Sequence, residues 1–431
     1  MEVTIVIFVL AIMLMLLSFF LFPSISIGHR DFGTYWMITL LFAAVILMVD
    51  REYATRILAI FASDDSTNPL KIITLFISIT FISKFLDSAG LFDFLATRAA
   101  KIGHGNQFVI FTLLYFLFSL ITMLTNNDVI IITTPIVIYF AKASKANPIP
   151  YLIMECFALN TLSSTFLTSN VSNLYLGSFF GITYLDYLVR LTPVALILMV
   201  LLYVALLASF WPALRKPIDD KVELAPIKDR FLLALGLSVL AICTLFLVVS
   251  NYIHLEMYLI TLGFALLDLV VGSIYVLAKK KDREYILKPL KGLPYEFIPF
   301  LSSMFVLVSA LQEVGVLREV GKALASLPLA SQPWVYGFSS MIAANLVNNV
   351  PMSLLFADII NAGGAGLTSV YAAILSSNLC ALITPAGSLS TLMFMRIVKE
   401  NDVRLSYGGF MKYAYVGILL EAAGIGLLLV L

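Results

Sequence analysis

Apolar runs near the length of a membrane span follow one another along almost the whole of this chain, and that succession limits its fold more than any other feature. The hydrocarbon core of a bilayer is about 30 Å thick, so a spanning helix needs about 20 predominantly apolar residues. Of 431 residues, 61% are hydrophobic and only 12% are charged, roughly half the charge of an average soluble domain. In lipid the backbone must satisfy its own hydrogen bonds, which such runs do as helices. The expected fold is an all-α polytopic protein, a multi-pass component of the plasma membrane with the lipid bilayer as its first partner.

Several function classes drop out on the same page. A net charge of +1 and the lack of a basic arm leave nothing to bind nucleic acid. The three cysteines, Cys156, Cys243 and Cys380, lie in apolar segments, so no disulfide framework is implied. There is no His-Glu-x-x-His, and His29, His104 and His254 fall in or near loops. There is no Walker A loop, so ATP hydrolysis by that route is excluded. The reading is a non-enzyme with no cofactor. Residues 3–22 lack a basic leader and are long enough to span, so they read as a retained helix.

The chain divides into two halves with one plan. Residues 1–212 hold a helical pair (3–22, 35–49), a third span (70–88), an amphipathic connector (89–104), two apolar arms (106–124, 128–144), a long stretch (149–180) and a closing span (187–211). A polar linker, 213–230, carries Asp219, Asp220, Lys221 and six further charges. Residues 231–431 repeat the order: 231–250, 257–278, a basic loop at 279–291, 294–312, a connector at 313–330, arms at 333–347 and 350–361, a long stretch at 367–398, and 405–431. A shift of 225 residues lays Pro69 on Pro294, Ser78 on Ser303, Leu86 on Leu311 and Gly90 on Gly315.

Length separates spans from pieces that turn back. At 1.5 Å per residue the arm 350–361 reaches only ~18 Å, whereas a 32-residue stretch reaches ~48 Å. The arms therefore read as re-entrant hairpins, 106–144 and 333–361, and the long stretches as broken helices, interrupted at Thr168–Asn173 and Thr384–Ser388. Each half then has five spans, an odd number, so the halves are expected as inverted repeats. Loops 213–230 and 279–291 hold the most Lys and Arg and share one face, which the positive-inside rule makes cytoplasmic. Loop 50–71 and both termini fall outside.

Two hairpin tips and two helix breaks thus converge, and each exposes the N-terminus of the helix that follows. Free N–H groups and the helix dipole favour an anion or a hydroxyl-rich neutral solute there. Asn126-Asn127 and Asn348-Asn349 mark the tips, with Asn127 and Asn349 expected as N-caps and Pro351 in the first turn. Thr168, Ser169, Asn170 and Asn173, and Thr384, Gly387 and Ser388, mark the breaks. Amide and hydroxyl oxygens of this kind can also hold sodium, at Asn127 and Asn349, while no transition-metal site is indicated. Asp128 is the only carboxylate at the four breaks, which makes it the candidate proton carrier. Lys84 and Asp87 stand at i, i+3 on one helix and are expected to pair. Glu155, Asp268, Asp358 and Glu421 read as facing helix contacts or water.

These segments resemble the arsenical pump membrane protein family of the ion transporter superfamily. The matching stretches are Thr125-Asn-Asn-Asp128 with Thr134-Pro-Ile-Val-Ile138, Ser169-Asn-Val-Ser-Asn173 with Phe179-Phe-Gly181, Asn348-Asn-Val-Pro351, and Thr384-Pro-Ala-Gly-Ser-Leu-Ser-Thr-Leu392, the last being the most specific. The resemblance covers essentially the whole chain. It implies export of arsenite or antimonite, a small inorganic oxyanion or neutral hydroxide, driven by H+ or by a cytoplasmic ATPase partner. It also implies an elevator motion of hairpins and broken helices against a scaffold. A homodimer is carried as an option. Related families move dicarboxylates with Na+ or exchange Na+ for H+. This chain departs from the arsenite exporters at Asn160 and Asn378, where the resemblance implies Asp, and the amides there suit sodium. Cys156 and Cys380 lie near the breaks; a buried apolar cysteine is the simpler reading of each, although trivalent arsenic favours thiols.

Overall fold

The computed structural model describes residues 2–22, 24–27, 30–49, 51–216, 218 and 223–431. His29 and the linker charges Asp219, Asp220 and Lys221 lie outside the described residues. The chain starts with α1 (Glu2–Leu21) and α2 (Thr34–Val49), joined through a small antiparallel hairpin of β1 (Ser24–Ile27) and β2 (Arg30–Gly33). Then come α3 (Arg51–Ala59), α4 (Pro69–Ser88), α5 (Leu91–Ile102), α6 (Gln107–Leu124), α7 (Ile130–Ala143), α8 (Pro148–Leu162), α9 (Val171–Phe179) and α10 (Tyr184–Leu214). After the linker follow α11 (Arg230–Val249), α12 (Met257–Ala278), α13 (Glu284–Lys291), α14 (Phe297–Val314), α15 (Val316–Ala325), α16 (Gln332–Val347) and α17 (Asn349–Gly363). The chain ends with α18 (Leu367–Leu379), α19 (Leu389–Glu400), α20 (Tyr407–Met411) and α21 (Ala414–Val430).

Local chemistry sets many of these starts. The side-chain oxygens of Asn68, Asn106, Asn147 and Asp229 accept N–H groups of the first turns of α4, α6, α8 and α11. Pro69 and Pro148 occupy first-turn positions that have no N–H to lose. Six described helices, α4, α6, α10, α11, α12 and α14, are long and apolar enough to cross a bilayer; α1, α2, α18 and α21 are shorter apolar helices. The polytopic all-α expectation is therefore met. The β-hairpin, α3 and α13 lie in segments read as loops.

Helices that face lipid and helices that face protein differ in what they expose. Val200 and Val204 of α10, Leu245 of α11 and Ile274 of α12 are exposed apolar side chains, as a lipid-facing surface requires. Every residue of α8 from Pro150 to Leu162, and of α18 from Ser369 to Leu379, is buried. Buried on every side, these two helices sit inside the protein, and the polar side chains they carry face other helices. Helix α8 packs against α6, α7 and α10, and α18 packs against α16, α17 and α21.

The arms differ in length from the sequence reading. Helix α17 has 15 residues, or ~22 Å, still short of the hydrocarbon core, while α6 has 18 and reaches ~27 Å. Charged groups meet at both ends of α4. Lys71 pairs with Asp64 and Glu256 at one end, each at 2.7 Å, and Asp87 pairs with Lys288 at 3.1 Å at the other. The second contact corrects the expected Lys84–Asp87 pair. Helix α13 packs on α4 and brings its lysine to Asp87, leaving Lys84 to point elsewhere.

Candidate functional site

Both long stretches break at the polar residues, and each break begins a few residues earlier than those residues suggested. The first interruption runs from Ser163 to Asn170, with a 3-10 turn at Leu167–Ser169. Ser172 and Asn173 are already helical. The second runs from Cys380 to Ser388, through two 3-10 turns. Gly387 is required there by packing, since a Cβ on it would lie 2.6 Å from the Cys380 carbonyl oxygen.

The cap at the second hairpin tip moves by one residue, and at the first tip neither Asn126 nor Asn127 caps α7. Asn348, not Asn349, is the N-cap of α17, and its backbone sits at φ 77°, ψ 156°. That conformation is rarely occupied by a residue with a side chain. Its amide donates to Ala386 O at 3.2 Å, tying the second tip to the second break. Asn126 precedes the turn at Asn127–Val129 but caps nothing; its amide donates to Thr80 Oγ1 at 2.8 Å. Asn170 does cap α9, accepting the Ser172 N–H at 3.1 Å.

The breaks join the two halves through amide and hydroxyl side chains. Asn378 is the hub. Its Oδ1 accepts from Ser163 Oγ at 2.7 Å and Asn170 Nδ2 at 2.8 Å. Its Nδ2 donates to Asn173 Oδ1 and to Ile374 O, both at 2.8 Å. Asn173 returns its own amide to Ser163 O and Phe166 O. Nearby, Ser172 Oγ donates to Asn349 O, and Asn349 Nδ2 donates to Ser377 O. Asn160 Nδ2 donates to Cys156 O at 2.9 Å and to Thr391 Oγ1 at 3.2 Å. Thr384 donates to Asn345 Oδ1 at 2.7 Å, Ser169 donates to Met123 O at 3.0 Å, and Thr168 is buried.

Beside this network lies a cavity of about 850 Å³. Asn127, Asp128, Asn170, Asn349 and Ser388 line it, so each of the four breaks contributes. Ser388 stands at the start of α19 without a side-chain cap bond, which leaves first-turn N–H groups for a guest. Ser390 Oγ donates to Asp128 Oδ1 at 2.6 Å, from one half of the chain to the other. The remaining predicted residues support the wall rather than line it.

Sequence reasoning missed much of the cavity's charge. Lys84 lines it from α4, Glu296 from the segment before α14, Lys291 from α13 and Arg396 from α19. Glu296 accepts from Gly33 N–H at 3.0 Å and from the Tyr35 hydroxyl at 3.3 Å. The available signal was a lysine inside an apolar span, which lipid does not tolerate unless it faces protein or water. The other buried carboxyls lie away from the cavity. Glu155 Oε1 accepts from Thr133 at 2.5 Å, Asp358 from Gln312 at 2.5 Å and Glu421 from Ser376. Cys156 and Cys380 are buried and do not line the cavity either.

A family profile described as citrate transporter (CitMHS) matches residues 1–377. The chain belongs to the citrate transporter family. Curated relatives of this family member include an arsenical pump membrane protein of Escherichia coli, 27% identical over 361 residues, covering 79% of this chain and 81% of the relative. Another of the same name, from Yersinia enterocolitica, is 26% identical over 352 residues, covering 78% and 80%. A 46 kDa membrane protein of Mycobacterium leprae is 23% identical over 371 residues, covering 82% and 84%. The likeness to arsenical pumps read from the motifs is thus present along the chain. This citrate transporter family member is a secondary membrane transporter and a multi-pass protein of the plasma membrane.

Proposed function

We propose that this transporter exports arsenite or antimonite and that protons enter through Asp128. One observation carries the reading: Asp128, the only carboxylate at the four breaks, lines the cavity and is bonded to Ser390 of the opposite half. A carboxyl placed between two halves can trade its proton as they move, and its hydroxyl and amide neighbours suit a trihydroxide guest. The names of the relatives support the cargo. The recurrence of order in α4–α9 and α14–α19, each a helix, a connector, two arms and a broken helix, supports inverted repeats. In this reading the arms and broken helices ride against a scaffold in an elevator motion. A cytoplasmic ATPase subunit, where one serves, docks on the linker 213–230 and loop 279–291.

A second reading is favoured by the family match and by the cations of the cavity: a sodium-coupled transporter of small organic anions such as citrate. Asn127 and Asn349, both on the cavity wall, then supply oxygen ligands to sodium. Arsenite uptake into everted vesicles, with proton and sodium gradients imposed separately, separates the two. Uptake driven by protons alone is the expected result. No arsenite uptake under either gradient overturns the first reading in favour of the second.

A further inference from the structure

Glu155, Asp358 and Glu421 are buried carboxyls away from the cavity, and each is held. Glu155 accepts the hydroxyls of Thr133 and Thr134, Asp358 the Gln312 amide and Glu421 the Ser376 hydroxyl. Asp268 on α12 is different. It is fully buried, and among the described residues neither of its oxygens has a hydrogen-bond partner. Helix α12 shows Leu267, Val270 and Ile274 to lipid and buries a stripe of Thr261, Ala265, Asp268, Gly272 and Val276. That stripe packs on α4 and α11. One turn past Asp268, a Cβ on Gly272 would lie 2.8 Å from the Phe85 ring of α4.

No counter-ion reaches this carboxyl from the helices around it. From α11 only the Cys243 thiol lies within range of the Asp268 charge, and Arg230 stands at the far end of that helix. On α4, Lys71 is committed to Asp64 and to Glu256, about three turns before Asp268. Lys84 lines the cavity, where its charge interacts with that of Asp128. Asp87 pairs with Lys288 of α13, whose Glu284 and Lys291 pair with each other. On α12 itself the Tyr275 hydroxyl donates to Asp229, and the Tyr258 ring sits under Lys71. An ionised carboxyl without donor or counter-ion is costly inside a membrane, and an acid kept for structure would be bonded. Asp268 is nonetheless only one helix from the cavity. Helix α4, which packs on α12, lines the cavity with Phe76 and Lys84 and holds the Asn126 amide of the first hairpin tip at Thr80.

We propose that Asp268 is a second proton-binding site of this transporter, behind α4, which holds a proton in this conformation and releases it to water when α4 shifts on α12. The site is separate from Asp128 and does not depend on the identity of the cargo. The first test uses the full chain in lipid nanodiscs at pH 7. Infrared difference spectra of wild type against Asp268→Asn are expected to show the loss of a protonated-carboxyl C=O band. No such loss means an ionised Asp268 and overturns the proposal. Asp268→Asn, and Asp268→Leu as a second neutral replacement, should keep the thermal midpoint of wild type, because neither removes a hydrogen bond. A fall in the midpoint of both variants marks a structural acid and also overturns the proposal. The second test counts the protons exchanged per arsenite in everted vesicles. Asp268→Asn is expected to keep uptake but to exchange fewer protons than wild type, and an unchanged ratio overturns the release step. A wild type that moves no arsenite refutes the export reading, while the infrared band still decides Asp268.

Discussion

The hydrogen-bond hub at Asn378 predicts an unequal response to two chemically identical substitutions. Asn160 and Asn378 are each only 1% exposed, so Asn→Asp buries a carboxylate equally at both. Their surroundings differ. Asn378 Nδ2 donates to Asn173 Oδ1 and Ile374 O at 2.8 Å and more weakly to Ser377 Oγ at 3.3 Å; of these only the Ser377 hydroxyl can reverse its role, so the two short bonds are the ones at stake. Asn173 cannot flip its amide, because its Nδ2 is committed to Ser163 O and Phe166 O. Asn378→Asp therefore loses two donated bonds, each worth about 1 kcal/mol net, and strands the Asn173 oxygen at about 1–3 kcal/mol more. Asn160 donates to Cys156 O and to the Thr391 hydroxyl, and that hydroxyl can turn and donate to a carboxylate. Asn160→Asp then loses one net bond, about 1 kcal/mol. The common cost of the buried charge cancels in the comparison, leaving Asn378→Asp less stable than Asn160→Asp by about 2–4 kcal/mol. Equilibrium unfolding of both variants in mixed micelles measures the difference. Equal stabilities, or a greater loss at Asn160, would refute the hydrogen-bond assignment that ties the breaks together.

Gly387→Ala drives a Cβ against the Cys380 backbone, so the second break must shift; a loss of about 1–3 kcal/mol and slower flux are expected, read by thermal midpoint and vesicle uptake. Asp229 caps α11 and pairs with Lys281. Burial pushes its carboxyl up, but the Lys281 ammonium and the N–H groups of Leu232 and Phe231 outweigh this and hold it below the usual carboxylate range. Its folded value lies below the unfolded one of ~3.9. The stabilisation is therefore complete above about pH 4 and lost as pH falls through the folded value. Asp229→Ala should lower the thermal midpoint at pH 7, by about 1–2 kcal/mol of capping, and flatten its decline in acid. An unchanged acid limb in that variant would remove Asp229 from the explanation.

The polytopic helical fold and the convergence of four breaks were legible because lipid leaves a chain few choices. Apolar run length reports spans, and doubled asparagines at depth report places where the helix must stop. Register at those stops was less legible. Asn348 rather than Asn349 caps α17, and Ser163 rather than Thr168 begins the first break, because tertiary bonds to Ala386 and Asn378 choose among neighbouring polar residues. Sequence spacing placed Lys84 beside Asp87, but α13 supplies Lys288 from 201 positions away, a contact no local rule contains. The β1–β2 hairpin was missed for a similar reason: Ser24–Ile27 and Arg30–Gly33 are too short to carry a periodicity.

The reading of the cavity as a proton-coupled cargo path turns on Asp128. The decisive measurement is proton-driven arsenite uptake into everted vesicles carrying Asp128→Asn, alongside wild type at matched protein level. The amide still accepts the Ser390 hydroxyl through its oxygen, so the variant should fold. The predicted result is normal membrane insertion with proton-driven uptake abolished. Full coupling in Asp128→Asn would contradict it and move the proton to another carboxyl.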